Sequence, residues 1–236
     1  MTTVLLILEI VGIVSFSISG ALVAIDKEHD LVGVLFLAII TTFGGGMLRD
    51  VFIGNTPPVF FTSYHLIIIC AATALLVFVL ASVFKKHYLK EEQTVQAINN
   101  YFDALGLGVF VVYGAKICID AGITNPFLII AMGMVSGTAG SMVRDIMVRE
   151  IPALLKKRIY LVAAIAGASL YYLLFSLGVT DLIAIPASAV LITVIRILAT
   201  VFKWNMPKAI RFSEIADSER LETNNKKIRE NGERGT

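Results

Sequence analysis

Two stretches of the chain combine glycines with an arginine and an aspartate inside segments apolar enough to span a bilayer. Residues 41–50 read TTFGGGMLRD, and residues 136–145 read SGTAGSMVRD. Glycine costs an α-helix about 1 kcal/mol relative to alanine, and a charge at membrane depth costs more. Because the chain carries both costly features twice at similar spacing, we expect the glycines and the charges to have a specific structural or functional role.

The composition is that of an integral membrane protein. Hydrophobic residues make up 57% of the 236 residues and charged residues only 16%, with a mean hydropathy of +0.82, whereas about a quarter of the residues in a soluble domain are charged. A net charge of +2 does not indicate a nucleic-acid partner. Cys70 and Cys118 lie in apolar runs without metal-ligand or disulfide spacing, so we expect two buried thiols and no metal site.

Seven segments are long and apolar enough to be spanning helices, which need about 20 residues each. They are 4–25, 31–53, 64–84, 101–119, 126–148, 159–177 and 182–202. The first segment has no basic leader, which predicts a spanning helix and not a cleaved signal. The charged residues 203–236 predict a solvated, mostly disordered tail.

The basic residues of the connections predict the orientation. Alternate connections are rich in Lys and Arg, while those around 54–63, 120–125 and 178–181 contain none. By the positive-inside rule, the N-terminus lies outside and the C-terminus in the cytoplasm.

A weaker repeat extends around the glycine motifs. Its matched pairs include Glu9 with Asp103, Phe16 with Phe110, and Gly20 with Gly114. We therefore expect two copies of a three-helix unit, residues 1–88 and 89–180, followed by a seventh span at 181–202. Because three is odd, the two copies have opposite orientations. The predicted fold class is all-α, a polytopic membrane protein with an inverted 3+3 repeat plus one extra helix.

Inverted repeats place a solute path near the midplane, at the interface of the two copies. Glycines in the second and fifth spans predict kinks that free backbone carbonyls, which must then line a cavity or find partners and can replace the water shell of a cation. The candidate pathway residues are Gly44, Gly45, Gly46, Arg49, Asp50, Gly137, Gly140, Ser141, Arg144 and Asp145.

The arginines and glycines of the motifs each have a structural interpretation. Adjacent helical residues do not face each other, so we expect Arg49 and Arg144 to pair across the repeat interface or with a freed carbonyl, acting as gates or brakes. Glycines in spanning helices also permit close helix packing, which is the alternative for the central motifs. We assign that packing role to Gly12, Gly20, Gly106 and Gly114.

Other polar residues within the spans have two interpretations. Glu9 and Asp103 either act in ion access or gating or reach the membrane interface by snorkelling. Lys116 and Arg196 lie near helix ends, which favours snorkelling, although Lys116 is also a candidate for controlling ion access. The hydroxyls of Ser15, Ser17 and Ser19 either line a path or bond their own helix.

The paired motifs GGGMLRD and GTAGSMVRD, preceded by FSISGAL and DALGLGVF, resemble the prokaryotic relatives of the trimeric intracellular cation channels, the TRIC family, whose domain is also named a glycine-transporter or UPF0126 domain. The resemblance covers about residues 4–202. It implies a homotrimer in the bacterial inner membrane, with a K⁺-permeable pore in each protomer, contacts with membrane lipids and no cofactor. Ala139 and Ser141 depart from the triple glycine, which implies a stiffer kink in the fifth span.

Two functions remain open at this point. The first is a passive monovalent-cation channel, and the second is a secondary transporter of a small solute such as glycine, since inverted repeats serve both. An enzyme is disfavoured, because the Gly137–Ser141 stretch lacks a Gly-Lys-Ser/Thr sequence and no histidine accompanies Ser141 in a recognisable motif. The seventh span has no lysine for a retinal Schiff base.

Overall fold

The computed structural model describes residues 3–84, 92–156, 159–202 and 204, and these residues contain helices and no strand. Seven of the helices are long and apolar enough to cross a membrane, which confirms the predicted fold class. The predicted repeat boundary near residue 88 and the tail from 203 onward, apart from Trp204, lie outside the described residues. The helices are α1 (Thr3–Asp26), α2 (Leu31–Phe52), α3 (Val59–Thr62), α4 (Tyr64–Val83), α5 (Glu92–Asp120), α6 (Pro126–Met147), α7 (Ala153–Lys156), α8 (Ile159–Ser176) and α9 (Asp181–Val201).

The spanning helices agree with the predicted segments, with one difference at the start of α5. This helix begins at Glu92 and not at 101, because polar residues such as Asn99 and Asn100 end the apolar run without ending the helix. At the start of α6, the Asn125 side chain accepts hydrogen bonds from the backbone N–H groups of Phe127 and Leu128 at 2.9 and 3.3 Å. This N-cap fixes where the fifth spanning helix begins.

Four helices form a closed ring in which α1 packs on α2, α2 on α6, α6 on α5, and α5 on α1. Each repeat adds its third spanning helix outside the ring, so that α4 packs on α1 and α2, and α8 packs on α5 and α6. The extra helix α9 packs on α5 and α8, which both belong to the second repeat. The ring is therefore symmetric between the repeats, and α9 breaks that symmetry.

Two matched phenylalanines mark the pseudo-two-fold axis of the inverted repeat. Phe16 and Phe110 stack on each other with their ring centroids 5.2 Å apart. The ring of Phe16 occupies the space where Gly106 would carry a side chain, and the ring of Phe110 does the same for Gly12. Residues that correspond between the copies meet in this way only if the copies face each other across a two-fold relation.

Two one-turn helices, α3 and α7, follow the glycine helices in equivalent positions and were not predicted. Their first residues, Val59 and Ala153, each follow a proline. The proline equivalent to Pro152 is thus Pro58, whereas the spacing of the Arg–Asp motifs alone would match Pro152 with Pro57. The shift of one residue arises because the connection from Asp50 to Val59 is one residue longer than the connection from Asp145 to Ala153.

Candidate functional site

The glycine motifs meet where α2 and α6 cross. Gly45 lies against the backbone carbonyl of Ser136, and Gly140 lies against the backbone carbonyl of Thr41, so that a Cβ at either glycine would overlap a carbonyl oxygen. Between them, a Cβ on Gly44 would lie 3.3 Å from the Cα of Gly140. The pairs 45 with 136 and 41 with 140 show that the two helices cross in antiparallel directions with their backbones in direct contact.

The glycine motifs lie inside unbroken helices. Both α2 and α6 are continuous α-helix through their motifs, so the glycines do not interrupt either helix. Gly137 also serves packing, since a Cβ there would overlap the side chain of Val111. Close packing, the alternative interpretation, describes Gly44, Gly45, Gly137 and Gly140, because a backbone contact between helices needs residues without side chains.

In the first repeat, Arg49 is held by its neighbour and by the opposite repeat. Its Nε and Nη2 donate to Asp50 Oδ1 at 3.0 and 2.8 Å, and its Nη1 donates to Ser136 Oγ at 3.0 Å. The other carboxylate oxygen of Asp50 accepts the backbone N–H of Val59 at 2.9 Å. Asp50 thus ties Arg49 to the first turn of α3.

The second repeat reproduces this arrangement. Arg144 Nε and Nη2 donate to Asp145 Oδ1 at 2.9 and 2.8 Å, and Nη1 donates to Ser19 Oγ at 2.9 Å. Asp145 Oδ2 accepts the backbone N–H of Ala153 at 2.8 Å. Both arginines and both aspartates are buried, so each ion pair is sheltered from solvent.

The prediction that each arginine avoids the following aspartate is wrong. The two Cα positions face different directions on the helix. The arginine side chain is nevertheless long enough for its guanidinium to turn back and bind one carboxylate oxygen through two N–H groups, which is a strong geometry. The remaining N–H group reaches a serine of the opposite repeat in both cases. The expected contact across the repeat interface is therefore present, through Ser136 and Ser19.

Two cavities that contain charged side chains lie on either side of the crossing. One, the Glu9 cavity, measures about 40 Å³ and is lined by residues that include Glu9, Gly46, Arg49, Asp50 and Tyr113. The other, the Asp103 cavity, measures about 380 Å³ and is lined by residues that include Asn99, Asp103, Arg144, Asp145 and Glu150. Both are large enough to hold water. The two linings share no residue, and the glycine contacts separate them.

The lining carboxylates Glu9 and Asp103 are buried and do not snorkel. The exposed fractions of Glu9 and Asp103 are 7% and 5%. Glu9 accepts a hydrogen bond of 3.2 Å from the Tyr113 hydroxyl. Asp103 lies between two arginines, with Oδ2 3.3 Å from Arg196 Nη2 and Oδ1 3.7 Å from Arg144 Nη1. Each cavity thus contains one buried carboxylate in addition to its Arg–Asp pair.

The structure corrects the prediction for Arg196. Only 2% of this residue is exposed, and its guanidinium carbon lies 4.3 Å from the centre of the Tyr160 ring. It points into the protein because the carboxylate of Asp103 and the face of Tyr160 replace the water that snorkelling would have reached.

Lys116 lies outside both cavities. Its Nζ is 2.8 Å from Asp120 Oδ1 and 3.1 Å from Asp181 Oδ2. It therefore links the end of α5 to the start of α9. Lys116 lines neither cavity, so no contact supports its suggested role in ion access.

The hydroxyl groups that the sequence singled out mostly bond within the bundle. Ser15 bonds its own helix and Ser17 donates to the carbonyl of Cys70 at 2.7 Å, while Ser141 bonds the carbonyl of Thr138 and the Tyr160 hydroxyl. Ser19 differs, since it accepts from Arg144 and donates to Asn99 Oδ1 at 2.7 Å. Cys70 is buried and free, as expected.

Sequence reasoning missed several residues of the site, namely Asn99, Tyr113, Ser136 and Tyr160. One signal was available for Asn99, because it precedes Asp103 by four residues and so lies on the same face of α5. Tyr113 has no such signal, since its role depends on how α1 packs against α5.

The exposed mouth of the Asp103 cavity carries an ion pair that links two loops. Lys27 Nζ lies 2.7 Å from Glu150 Oε1, and this hydrogen bond raises the pKa of Lys27 above its ordinary value. Both side chains are partly exposed to solvent, so the pair adds little to stability.

Comparisons with known proteins match this architecture. A family model described as "Glycine transporter" matches residues 6–82 and again residues 100–176, once in each repeat. A UPF0126 membrane protein of Deinococcus radiodurans is 37% identical over 71% of this chain and 74% of its own. The UPF0126 inner membrane protein YadS of Escherichia coli is 32% identical over 70% of this chain and 78% of its own.

Among solved structures, a TRIC trimeric intracellular cation channel orthologue from Rhodobacter sphaeroides superposes with a TM-score of 0.77. The two chains are 30% identical, and the match covers 86% of this chain and all of that one. The two matches of the family model, one for each structural repeat, together with these similarities, show that the chain belongs to the family of UPF0126 integral membrane proteins and TRIC channels.

Proposed function

We propose that this protein is a passive monovalent-cation channel that conducts K⁺, with one pathway in each protomer between the inverted repeats. The observation that carries the proposal is the pair of cavities on the two sides of the α2–α6 crossing, each lined by an Arg–Asp pair and a buried carboxylate. The similarity to a solved TRIC cation channel orthologue supports it.

The charges of the cavities suit a cation. Glu9, Arg49 and Asp50, the first-repeat triad, sum to one negative charge if all three are ionised. Carboxylates in a site of low dielectric attract a cation far more strongly than carboxylates in water. The cavity that they line is also small, about 40 Å³, which keeps a passing ion close to them.

The crossing acts as the gate in this proposal. Along α2, Arg49 follows Gly45 by four residues, and along α6, Arg144 follows Gly140 by four, so that each arginine lies about 6 Å from the crossing on its own side. The backbone contacts close the path between the cavities. Opening requires α2 and α6 to move apart, and the bond from Arg49 in α2 to Ser136 in α6 opposes that movement. The bond from Arg144 to Ser19 ties α6 to α1.

We further propose a homotrimer in contact with membrane lipids, with the N-terminus outside and the C-terminus in the cytoplasm. The Rhodobacter sphaeroides orthologue is described as trimeric, and the distribution of Lys and Arg among the connections supports the orientation. Cross-linking of the purified protein tests the trimer, and labelling of single cysteines introduced at Gly54 and at Glu28 tests the orientation.

Recording from purified protein in planar bilayers tests the channel. We expect single-channel currents whose reversal potential follows the K⁺ gradient in KCl and shifts little when Na⁺ replaces part of the K⁺. Folding is checked beforehand by a cooperative thermal transition. A folded protein that is silent or selective for anions would overturn the proposal.

A secondary transporter is the second candidate. The description of the family model as "Glycine transporter" favours it, as do two separate cavities on opposite sides of a closed crossing, because alternating access requires such an arrangement. Saturable uptake of labelled glycine into proteoliposomes, without single-channel current, would support this candidate over the channel.

A further inference from the structure

The extra helix α9 adds a buried positive charge to one repeat only. The triad Asp103, Arg144 and Asp145, the second-repeat triad, corresponds to the first-repeat triad and also sums to one negative charge. Arg196 of α9 lies 3.3 Å from Asp103, which brings the total on that side to zero. The repeat by itself would give both sides of the crossing the same charge.

Packing explains why the first repeat has no equivalent of Arg196. Helix α9 packs on α5 and α8 of the second repeat, where the guanidinium of Arg196 lies over the ring of the buried Tyr160. The hydrogen-bond partner of Glu9 is instead the neutral hydroxyl of Tyr113. The charge of Glu9 therefore faces its cavity without the compensation that Asp103 receives.

We propose that Glu9 is the carboxylate that selects cations, and that Arg196 removes Asp103 from that role and makes the path electrically asymmetric. This inference rests on the proposed channel function. Cations concentrate in the Glu9 cavity, so current that enters from that side exceeds current that enters from the Asp103 side at equal and opposite voltages.

Exposed charges at the two ends do not cancel this asymmetry. Asp26, Lys27 and Glu150 at one end, and Asp120 and Asp181 at the other, have side chains that are 35–56% exposed. Salt screens such charges over about 8 Å at physiological ionic strength. The buried carboxylates and arginines are screened much less and determine the local potential.

Bilayer recordings of charge variants in symmetric and asymmetric KCl test the inference. Glu9→Gln is expected to lower the K⁺/Cl⁻ permeability ratio at least about threefold and to remove rectification, because one full charge leaves a low-dielectric site. Arg196→Gln is expected to remove rectification as well, but to raise the cation preference, since it restores a negative charge on the other side. Glu28→Gln, an exposed carboxylate in neither cavity lining, is the control.

A charge-matched variant separates charge from shape. Asp103→Asn combined with Arg196→Gln removes both buried charges and leaves that side neutral, so rectification should have the same direction as in the wild type. If Arg196→Gln fails to unfold cooperatively, the double variant still tests the inference, because a loss of rectification in it would contradict the role of net charge.

The outcomes are distinguishable. A folded wild type without K⁺ current overturns the proposed function. A conducting wild type with an unchanged permeability ratio in Glu9→Gln overturns the role of Glu9. A loss of rectification in the double variant overturns the role of Arg196, since the net charge on that side has not changed.

Discussion

Gly45 in α2 lies directly against the backbone carbonyl of Ser136 in α6. The inverted repeat produces the same contact a second time, between Gly140 and the carbonyl of Thr41. Two helices therefore touch backbone to backbone over one turn, and the bonds from Arg49 and Arg144 to the opposite repeat lie on either side of that contact. Movement at the crossing thus changes both cavities together.

The first prediction concerns this contact. Gly45→Ala should lower the free energy of unfolding by about 1–3 kcal/mol, the range for overpacking a close contact, because its Cβ overlaps a carbonyl that cannot rotate away. Gly46→Ala should be neutral or stabilising, since its Cβ would lie 3.7 Å from Arg49 Nη2 in ordinary contact and alanine favours helix by about 1 kcal/mol. Thermal unfolding in detergent measures both. Equal destabilisation by the two variants would contradict the assignment of Gly45 to the crossing.

The sequence predicted the fold because its signals are local. Span length, the Asn125 cap and the duplicated motif each depend on neighbouring residues, and the number of spans in one unit determines the inversion. The role of the glycines was harder to predict, since the same residues allow a helix either to break or to touch another helix. Only the position of Ser136 opposite Gly45 decides between these possibilities.

The second prediction concerns the buried Arg–Asp pairs. Asp50→Asn should destabilise the protein by about 3–5 kcal/mol, the cost of leaving a buried partner charge unpaired, because Arg49 loses the carboxylate that its Nε and Nη2 share. Denaturant unfolding measures the loss. Asp26→Asn is the matched control, since its side chain is 46% exposed and surface pairs contribute about 0–1 kcal/mol. Similar losses of stability in both variants would contradict the prediction that burial of the Arg49–Asp50 pair sets the cost of removing Asp50.

Side-chain partners of the site could not be predicted from spacing. Arg196 lies near a helix end, where snorkelling is the ordinary behaviour, and only the packing of α9 on the second repeat brings it to Asp103. Asp50 and Asp145 likewise bind the N–H groups of α3 and α7, two helices that are too short for a hydropathy signal. These contacts join elements distant in sequence, so local patterns do not encode them.

The third prediction concerns the stacked pair on the pseudo-two-fold axis. Phe16→Leu and Phe110→Leu should each destabilise the protein, and the double variant should lose less than the sum by about 0.5–1.5 kcal/mol, the coupling of an aromatic pair. The reason is that each ring packs on the other and on the glycine of the opposite helix. A double-mutant cycle by denaturant unfolding measures the coupling. Additive losses would show that the two rings do not support each other.

The fourth prediction concerns the narrow Glu9 cavity and rests on the channel function. Gly46 lines this cavity, and unlike Gly45 it has space for a side chain. Gly46→Leu should therefore reduce single-channel current several-fold while the protein still unfolds cooperatively, because a leucine fills a space of about 40 Å³.

Val51→Leu is the matched control, since Val51 is on the same helix but is 59% exposed on the outer surface of the bundle. Gly12→Leu, in contrast, should act on stability, because its side chain would meet Val109 and Phe110. If Gly46→Leu conducts like the wild type at equal protein density, ions do not pass through the Glu9 cavity.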